Sequence, residues 1–461
     1  MKNTIINSSQ LNEILIQNQL VDDNAHIRAI LKKASESKGL DIHDVAALAS
    51  IQDKGLLLEL FATAYKVKEA IYGNRIVLFA PLYISNLCTN ECLYCAFRAT
   101  NHAILRRSLS QEEIASEVKY LIEQGQKRIL LVAGESYTRD GFQYILDSLE
   151  TIYGVKSNNG EIRRANVNIA PLATEDFVRL KNAKIGTYQL FQETYHPDVY
   201  QKMHVAGKKA DYNWRLEAID RAMEAGIDDV GIGVLFGLAD WRFELLALMQ
   251  HIQHLNTKFG VGPHTISVPR LEPAIGSDVA SNPPFIVSDD DFLKIIAILR
   301  LAVPSAGIIL STRESPLIRR DALKLGVSQI SAGSRTNPGG YAEDKESGSQ
   351  FSLGDHRSLD EVVGDVASLG YIPSFCTACY RLERTGENFM ALAKSGRIKN
   401  MCLPNALITF AEYLADYASP KTRTIGKDLI IKELAKMTNQ QRKIVINMLD
   451  DIKNNKRDLF V

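Results

Sequence analysis

The spacing of apolar residues changes along the chain at about residue 73. Before that point, apolar positions such as Leu57, Leu60 and Phe61 recur at helical intervals. After it, short and nearly continuous apolar runs alternate with amphipathic stretches, as expected for strands buried on both faces and separated by helices. We predict strands at 76–84, 128–134, 165–172, 187–195, 229–237, 264–273, 308–314 and 329–335.

This succession of β-α units predicts an α/β fold, a (β/α)8 TIM barrel over residues 73–355. An N-terminal helical extension, residues 1–72, is expected before the barrel, and a C-terminal helical domain, residues 356–461, after it. Active sites of such barrels lie at the carboxyl ends of the strands. Polar or metal-binding residues follow several of the predicted strands at those ends, namely the Cys88 loop, Glu135, Glu193, Arg270 and Arg313.

The six cysteines divide into two sets of three, Cys88-x3-Cys92-x2-Cys95 and Cys376-x2-Cys379-x22-Cys402. A structural zinc ion takes four ligands, whereas three thiolates can hold three irons of a 4Fe-4S cluster and leave the fourth iron open to a substrate. The alternative for the first set is three unrelated core cysteines. For the second set, its Cys-x2-Cys pair alone could bind zinc or be redox-active. We predict two iron-sulfur clusters, so the C-terminal domain is expected to be cluster-binding.

Charge and hydropathy exclude several kinds of partner. Lys and Arg together number 54 and Asp and Glu together number 54, so no basic surface for nucleic acid and no charge attraction to a membrane is expected. No run of apolar residues is long enough to span a bilayer, and the first residues lack the apolar core of a signal peptide. We expect a cytoplasmic protein, and an anaerobic setting because oxygen damages exposed clusters.

Ser311 and Arg313 stand at the end of the seventh predicted strand. A buried arginine is costly unless it meets an anion, and a substrate carboxylate would supply one. An ordinary ion pair between Arg313 and Glu314 is the competing interpretation.

The first cysteine set, with Tyr94 as an aromatic residue before its last cysteine, resembles the signature of the radical SAM superfamily. Further segments, at 71–75, 191–195, 211–220 and 263–270, are similar to the aromatic-amino-acid lyases of that superfamily, and specifically to the HydG family of FeFe-hydrogenase maturases. The resemblance runs from about Ile71 to the C-terminus. The tyrosine lyase ThiH of thiamine biosynthesis is a close relative, but the C-terminal cysteine spacing favours the HydG family.

The resemblance implies a TIM barrel of radical SAM type whose first cluster binds S-adenosylmethionine (SAM). Ala133-Gly134-Glu135 lies where the superfamily has its Gly-Gly-Glu segment, here with alanine first. The residues implied in SAM binding are Tyr94, Ala133, Gly134, Glu135, Glu193 and Arg215. Glu193 and Arg215 would hold the ammonium and the carboxylate, although each could instead be a solvated ion-pair partner. Arg313 and Ser311 match tyrosine-binding positions, and the reaction would cleave tyrosine to p-cresol and dehydroglycine.

The resemblance also implies a role for the second cysteine set, which would hold a C-terminal cluster, called the auxiliary cluster below. Dehydroglycine would be converted to CO and cyanide on a fifth iron attached to that cluster. His264 matches the position that holds this iron, with free cysteine as a further ligand. His264 stands at the start of a predicted strand, which conflicts with a site at the carboxyl ends. Expected partners are a reductant such as ferredoxin or flavodoxin, and transient contacts with the maturases HydE and HydF.

Two other functions remain open at this point. A ThiH-type lyase would supply dehydroglycine for thiazole synthesis and would not need the second cysteine set. A non-catalytic iron-sulfur electron carrier, or a binding protein structured by zinc, would not cleave SAM.

Overall fold

The computed structural model describes residues 5–18, 23–137, 140–158, 160–343, 348–382 and 385–461. A closed barrel of eight parallel strands forms its centre, because the first strand pairs with the last through Val77 and Gln329. The predicted barrel is therefore confirmed. In chain order its strands are Arg75–Ser85, Arg128–Ala133, Arg164–Asn168, Tyr188–Glu193, Val230–Val234, Thr265–Ser267, Gly307–Leu310 and Val327–Ser331.

Several strands end earlier than their apolar runs predict. The third stops at Asn168 and the sixth at Ser267, although the apolar runs continue to 172 and 273. Ile169 and Leu172 are nevertheless buried. Apolar residues there pack the rim and do not extend the sheet.

Helices cover the outside of the barrel, as expected for β-α units. The Ser110 hydroxyl accepts a hydrogen bond from Glu113 N at 3.3 Å and the Glu113 carboxylate accepts one from Ser110 N at 2.7 Å, so the capping box is present. The helices between barrel strands are Gln111–Glu123, Gln143–Gly154, Thr174–Asn182, Pro197–Met203, Tyr212–Leu216, Ala218–Glu224, Trp241–Phe259, Asp278–Ser281, Asp289–Ala302 and Pro316–Leu325.

The N-terminal residues form a helical layer on this outer ring, as predicted. Its helices are Ser8–Asn18, Asn24–Ala34, Ile42–Ala49 and Lys54–Ile71. Buried lysines join the layer to the barrel. The Lys294 ammonium donates to the carbonyl of Ala49 at 2.8 Å, and that of Lys68 donates to the carbonyl of Leu323 at 2.9 Å. The layer shares one hydrophobic core with the barrel, and the domain division at residue 73 stays a prediction.

After the barrel the chain returns to the amino ends of the strands. The short strand Ile372–Ser374 pairs in parallel with the beginning of the first barrel strand, Arg75 opposite Ile372. The helices around this return are Leu359–Ser368, Ala378–Arg381, Gly386–Lys394, Ile398–Asp416, Pro420–Lys436 and Asn439–Lys453. The C-terminal segment and its cysteines therefore lie at the amino ends of the barrel strands and not at the carboxyl ends.

Short elements complete the fold. Glu91–Cys92 pairs with His204–Ala206 and Lys156–Ser157 pairs with Gly160–Glu161, both antiparallel, and Lys208–Ala210 is a 3-10 helix. Within the described ranges, no helix is both long and apolar enough to cross a membrane.

Candidate active site

The first three cysteines lie in the loop after the first barrel strand. Cys92 is in the short strand paired with His204–Ala206, and Cys95 N donates to the Cys92 carbonyl at 3.0 Å. The Arg106 guanidinium binds the carbonyls of Asn86 and Phe97 at 2.9 and 2.8 Å, which ties the two ends of the loop together. Burial raises the pKa of all three thiols, that of Cys95 to about 11, so iron would have to hold them as thiolates.

The loop approaches the end of the second strand very closely. Gly134 N donates to the Ser85 carbonyl at 2.9 Å. A Cβ atom at Gly134 would stand 2.2 Å from the carbonyl oxygen of Leu87, so only glycine permits this approach. Glu135 is thereby brought beside the cysteines, and its carboxylate accepts from the Asn90 amide at 2.7 Å.

Four charged side chains form a balanced network next to the cysteines, with Arg215 and Glu193 buried and Glu135 and Lys209 half-buried. The Arg215 guanidinium contacts Glu135 at 2.8 Å and Glu193 at 3.4 Å, and the Lys209 ammonium contacts Glu193 at 2.7 Å. Burial alone would lower the pKa of Arg215, but Glu135 and Glu193 outweigh it and hold that pKa above its usual range. Burial likewise acts to raise the pKa of Glu135, and Arg215 and Lys209 hold it low. All four groups are therefore ionised.

Glu193 reaches this network through an irregular strand end. Its φ is +72°, unusual for a residue other than glycine, and the register of the fourth strand shifts between Phe191 and Glu193. The buried Glu244 carboxylate accepts hydrogen bonds from the Thr194 hydroxyl and from Tyr195 N, the latter at 2.8 Å. Glu244 thus supports the backbone that aims Glu193 inward.

Tyr94 is held by a histidine that sequence reasoning passed over. The Tyr94 hydroxyl lies 2.8 Å from His204 Nε2, and His204 Nδ1 lies 2.8 Å from the Tyr200 carbonyl. Because a carbonyl only accepts, Nδ1 carries the proton and Nε2 accepts from Tyr94. Burial lowers the pKa of His204 to about 2, so the ring is neutral.

The structure brings the predicted SAM residues together. One cavity of about 80 Å³ is lined by Cys88, Cys92, Cys95, Ala133, Gly134, Glu135, Glu193 and Arg215, among others. A larger cavity of about 160 Å³ adjoins it and is lined by Tyr94, Ser311 and Arg313, with Cys95 and Glu193 shared between the two. The binding roles of these residues stay predictions.

Arg313 does not form the ion pair with Glu314 that was its competing interpretation. Glu314 is bound by the Arg270 guanidinium instead, with Nε at 3.0 Å from Oε1. The Arg313 guanidinium lies 3.3 Å from the ring centroid of Phe351. Among the described residues its guanidinium donates one hydrogen bond, a long one to the Arg270 carbonyl at 3.4 Å. Its donors are therefore available to a ligand in the larger cavity.

Several residues of this cavity were not predicted, namely Tyr83, Lys209, Glu272, Gln350 and Phe351. The Tyr83 hydroxyl donates to the Gln350 amide oxygen at 2.8 Å, and the amide nitrogen of Gln350 lies 3.8 Å from Cys95 Sγ. Gln350 and Phe351 belong to a segment that returns over the barrel mouth after the last strand. No motif marks them in the sequence, and Lys209 stands in a Lys-Lys pair that is more typical of a solvated surface.

The second cysteine set lies at the opposite end of the barrel. Cys376, Cys379 and Cys402 line a cavity of about 50 Å³ together with His264. His264 immediately precedes the sixth strand, Thr265–Ser267. The conflict raised by its position at a strand start is therefore resolved, because this site is built on the amino ends of the strands and not on the rim.

His264 is held on two sides. Its Nδ1 lies 3.0 Å from Asp229 Oδ1, and its ring stacks on Phe389 with centroids 4.1 Å apart. Burial acts to raise the pKa of Asp229, but His264 outweighs it and the pKa is lowered, so the carboxylate is charged. A carboxylate at Nδ1 favours the tautomer that leaves Nε2 for a metal.

All six cysteines are thiols in the structure. Within the part of the chain that the structure describes, no three His, Cys, Asp or Glu side chains are grouped to hold one metal ion. A 4Fe-4S cluster is a different case, because its three thiolates bind three separate irons.

The chain is similar to known radical SAM proteins. The model of the radical SAM superfamily matches residues 82–249, and that of the biotin and thiamin synthesis associated domain matches residues 267–372. The 2-iminoacetate synthase of Escherichia coli (strain K12) is 33% identical over 351 residues, 76% of this chain and 90% of that protein. A crystal structure of HydG, a maturase of the [FeFe]-hydrogenase, has 48% identity and a TM-score of 0.96, covering 99% of this chain and 100% of that one.

The chain belongs to the HydG family of radical SAM proteins. The HydG structure from Carboxydothermus hydrogenoformans is also similar, with 43% identity, a TM-score of 0.84, and coverage of 96% of this chain and 97% of that one. Membership of the radical SAM superfamily implies SAM and a SAM-binding 4Fe-4S cluster for this chain. The two HydG structures cover 99% and 96% of this chain, so the likeness to them extends over the C-terminal segment as well as the barrel.

Proposed function

We propose that this protein is a radical SAM lyase that cleaves the Cα-Cβ bond of tyrosine to p-cresol and dehydroglycine. It then forms CO and cyanide on an iron of the auxiliary cluster, for assembly of the FeFe-hydrogenase H-cluster. The observation that carries this proposal is the presence of two three-cysteine sites at opposite ends of one barrel. Likeness to HydG structures along nearly the whole chain supports it.

The first site suits a cluster with SAM on its open iron. Cys88, Cys92 and Cys95 would hold the cluster, which together with SAM supplies a 5′-deoxyadenosyl radical when reduced by a donor such as ferredoxin or flavodoxin. The charge network beside them sums to zero, as does the amino-acid end of SAM. Glu193 can therefore exchange Lys209 for the SAM ammonium while Arg215 turns to the SAM carboxylate, without leaving a net buried charge.

Tyrosine would occupy the larger cavity. Its carboxylate fits the Arg313 guanidinium and the Ser311 hydroxyl, both of which line this space. Phe351 on one face of Arg313 keeps the guanidinium in place and water away from it. Cys95 lines the same cavity, so tyrosine would lie next to the first site.

The second site suits a charged metal group. Cys376, Cys379 and Cys402 would hold the auxiliary cluster and His264 would bind the fifth iron, with free cysteine as a further ligand. The buried side chains around it support this fit, since the Nε atoms of Arg75 and Arg128 have no hydrogen-bond partner among the described residues. Transfer of the product to HydE and HydF partners belongs to the same proposal.

The test is a product analysis with ¹³C-labelled tyrosine under anaerobic conditions. Reconstituted, reduced protein is incubated with SAM, and p-cresol is measured together with iron-bound CO and cyanide by infrared spectroscopy. The variant is Cys376→Ala with Cys379→Ala, and the wild type is the control. Formation of p-cresol by both proteins, with the diatomic ligands formed by the wild type alone, is the expected result.

Two other outcomes would contradict the proposal. If both proteins form p-cresol and neither forms CO, the chain is a ThiH-type lyase, the alternative that the 33% identity to a 2-iminoacetate synthase favours. If no 5′-deoxyadenosine is formed when the reduced protein meets SAM and tyrosine, the chain is not a radical SAM lyase.

A further inference from the structure

Two buried arginines line the cavity of the second cysteine set. Arg75 begins the first barrel strand and Arg128 begins the second, and they are 8% and 7% exposed. Among the described residues neither forms an ion pair with a carboxylate, and the Nε atom of each lacks a hydrogen-bond partner. A buried guanidinium without a counter-charge is costly, so these positions need an anion that the carboxylates of the fold do not provide.

Both arginines lie close to the cysteines of the second set, which could provide this anion as thiolates. The Arg128 guanidinium donates to the Cys376 carbonyl at 2.9 Å. The Arg75 side chain lines the same cavity as the thiols of Cys376, Cys379 and Cys402.

Aromatic rings form the other walls around the two guanidinium groups. Arg75 lies 5.3 Å from the ring centroid of Tyr72, and Arg128 lies 5.4 Å from that of Tyr380. Both rings line the same cavity as the cysteines. Among the residues that line this cavity, the thiolates are thus the available negative charge.

We propose that Arg75 and Arg128 form a cationic cradle that neutralises the thiolate-bound auxiliary cluster and raises its reduction potential. The inference rests on the proposed function, because it requires a cluster at Cys376, Cys379 and Cys402. Reduction adds one negative charge to the cluster. Two fixed positive charges in a site of low dielectric stabilise the reduced form more than the oxidised form.

The cradle is tested by a redox titration of the full-length, reconstituted protein, monitored by electron paramagnetic resonance. The variants are Arg75→Met and Arg128→Met, which remove charge, and Arg75→Lys and Arg128→Lys, which keep it. We expect a lower midpoint potential of the auxiliary cluster in the Met variants and a value near the wild type in the Lys variants. The SAM-binding cluster at the other end of the barrel is an internal reference, and its potential stays constant.

Arg164→Met is the matched control. The Arg164 guanidinium lies 4.0 Å from the centroid of the same Tyr380 ring, but it donates to the Lys184 carbonyl and does not line the cavity. Its Nε atom is also without a hydrogen-bond partner among the described residues, but Arg164 is half-buried and lies outside the cavity, so its removal should change the auxiliary potential less than removal of Arg75 or Arg128 does.

The possible outcomes separate the cradle from the proposed function. If the wild type holds both clusters and the Met variants have the wild-type potential, the cradle is wrong and the function stands. If both clusters shift together, the effect is a general disturbance, which also overturns the cradle. Met variants that lose the auxiliary cluster support the cradle when the Lys variants keep it, and overturn it when those lose it too. A wild type with no auxiliary cluster overturns the proposed function itself.

Discussion

The role proposed for Arg313 gives the sharpest test of the larger cavity. Arg313→Met removes the guanidinium and keeps an apolar stem beside Phe351, whereas Arg313→Lys keeps a charge but not the two parallel donors. Each hydrogen bond to a charged group contributes about 1.5 kcal/mol at the lower end of its range, so a bidentate contact with the tyrosine carboxylate contributes about 3 kcal/mol. The Met variant should therefore lose about 150-fold in kcat/KM for tyrosine, and the Lys variant about tenfold.

The assay is p-cresol formation at varied tyrosine and, separately, at varied SAM. Arg313 does not line the smaller cavity, so the KM for SAM should stay at its wild-type value. Arg270→Lys is the matched control, because Arg270 stands on the same rim with its guanidinium bound to Glu314 and to Asp289 at 2.8 Å. It does not line the larger cavity, and its substitution should leave the KM for tyrosine unchanged.

An Arg313→Met variant with the wild-type kcat/KM for tyrosine would refute the assignment. So would equal losses for tyrosine and SAM, since these would indicate a general distortion of the barrel mouth and not a lost carboxylate contact.

Two further predictions concern buried carboxylates. Asp229→Asn removes the charge beside His264 Nδ1, and losing such a partner costs about 10- to 100-fold in metal affinity, so the fifth iron should be depleted in metal analysis. Asp228→Asn, at a residue bound to the Thr385 hydroxyl, should retain that iron, and equal iron content in the two variants would contradict the role of Asp229. Burial raises the pKa of Glu244 to about 7, from about 4.3 in an unfolded chain. The folded protein then binds the extra proton between these values, so the free energy of unfolding falls as pH rises through this window, by up to about 4 kcal/mol. Chemical denaturation of Glu244→Gln should lack this fall, and an unchanged pH slope would show that Glu244 is not its source.

The sequence predicted those features that depend on local pattern. Strands buried on both faces need continuous apolar runs, so the barrel could be predicted although its strand ends could not. The cysteine spacings are local as well, and Ser311 and Arg313 follow a strand whose end marks the rim. In the structure Ser311 and Arg313 line one cavity, as their common position at the end of this strand would lead one to expect.

Long-range contacts account for what was missed. Gln350 reaches Tyr83 from 267 positions away in the chain, and no pattern near either residue encodes that contact. Lys209 is half-buried where its ammonium meets the Glu193 carboxylate at 2.7 Å, a contact that its Lys-Lys pair does not encode. The sequence did not show that the site of His264 lies at the amino ends of the strands. That depends on where the C-terminal segment folds back, and the pairing of this segment with the first strand determines it.

The shared construction of the second site bears on how such an enzyme could arise or be engineered. Its cysteines come from the C-terminal segment, but Arg75, Arg128 and His264 come from the barrel itself. Fusing the C-terminal segment to a barrel with other residues at these strand starts would transfer three thiols without the histidine or the arginines. Building this site in another barrel would therefore require substitutions at the strand starts of that barrel as well as the added segment. Neither the strand-start residues nor the C-terminal segment would provide the whole site alone.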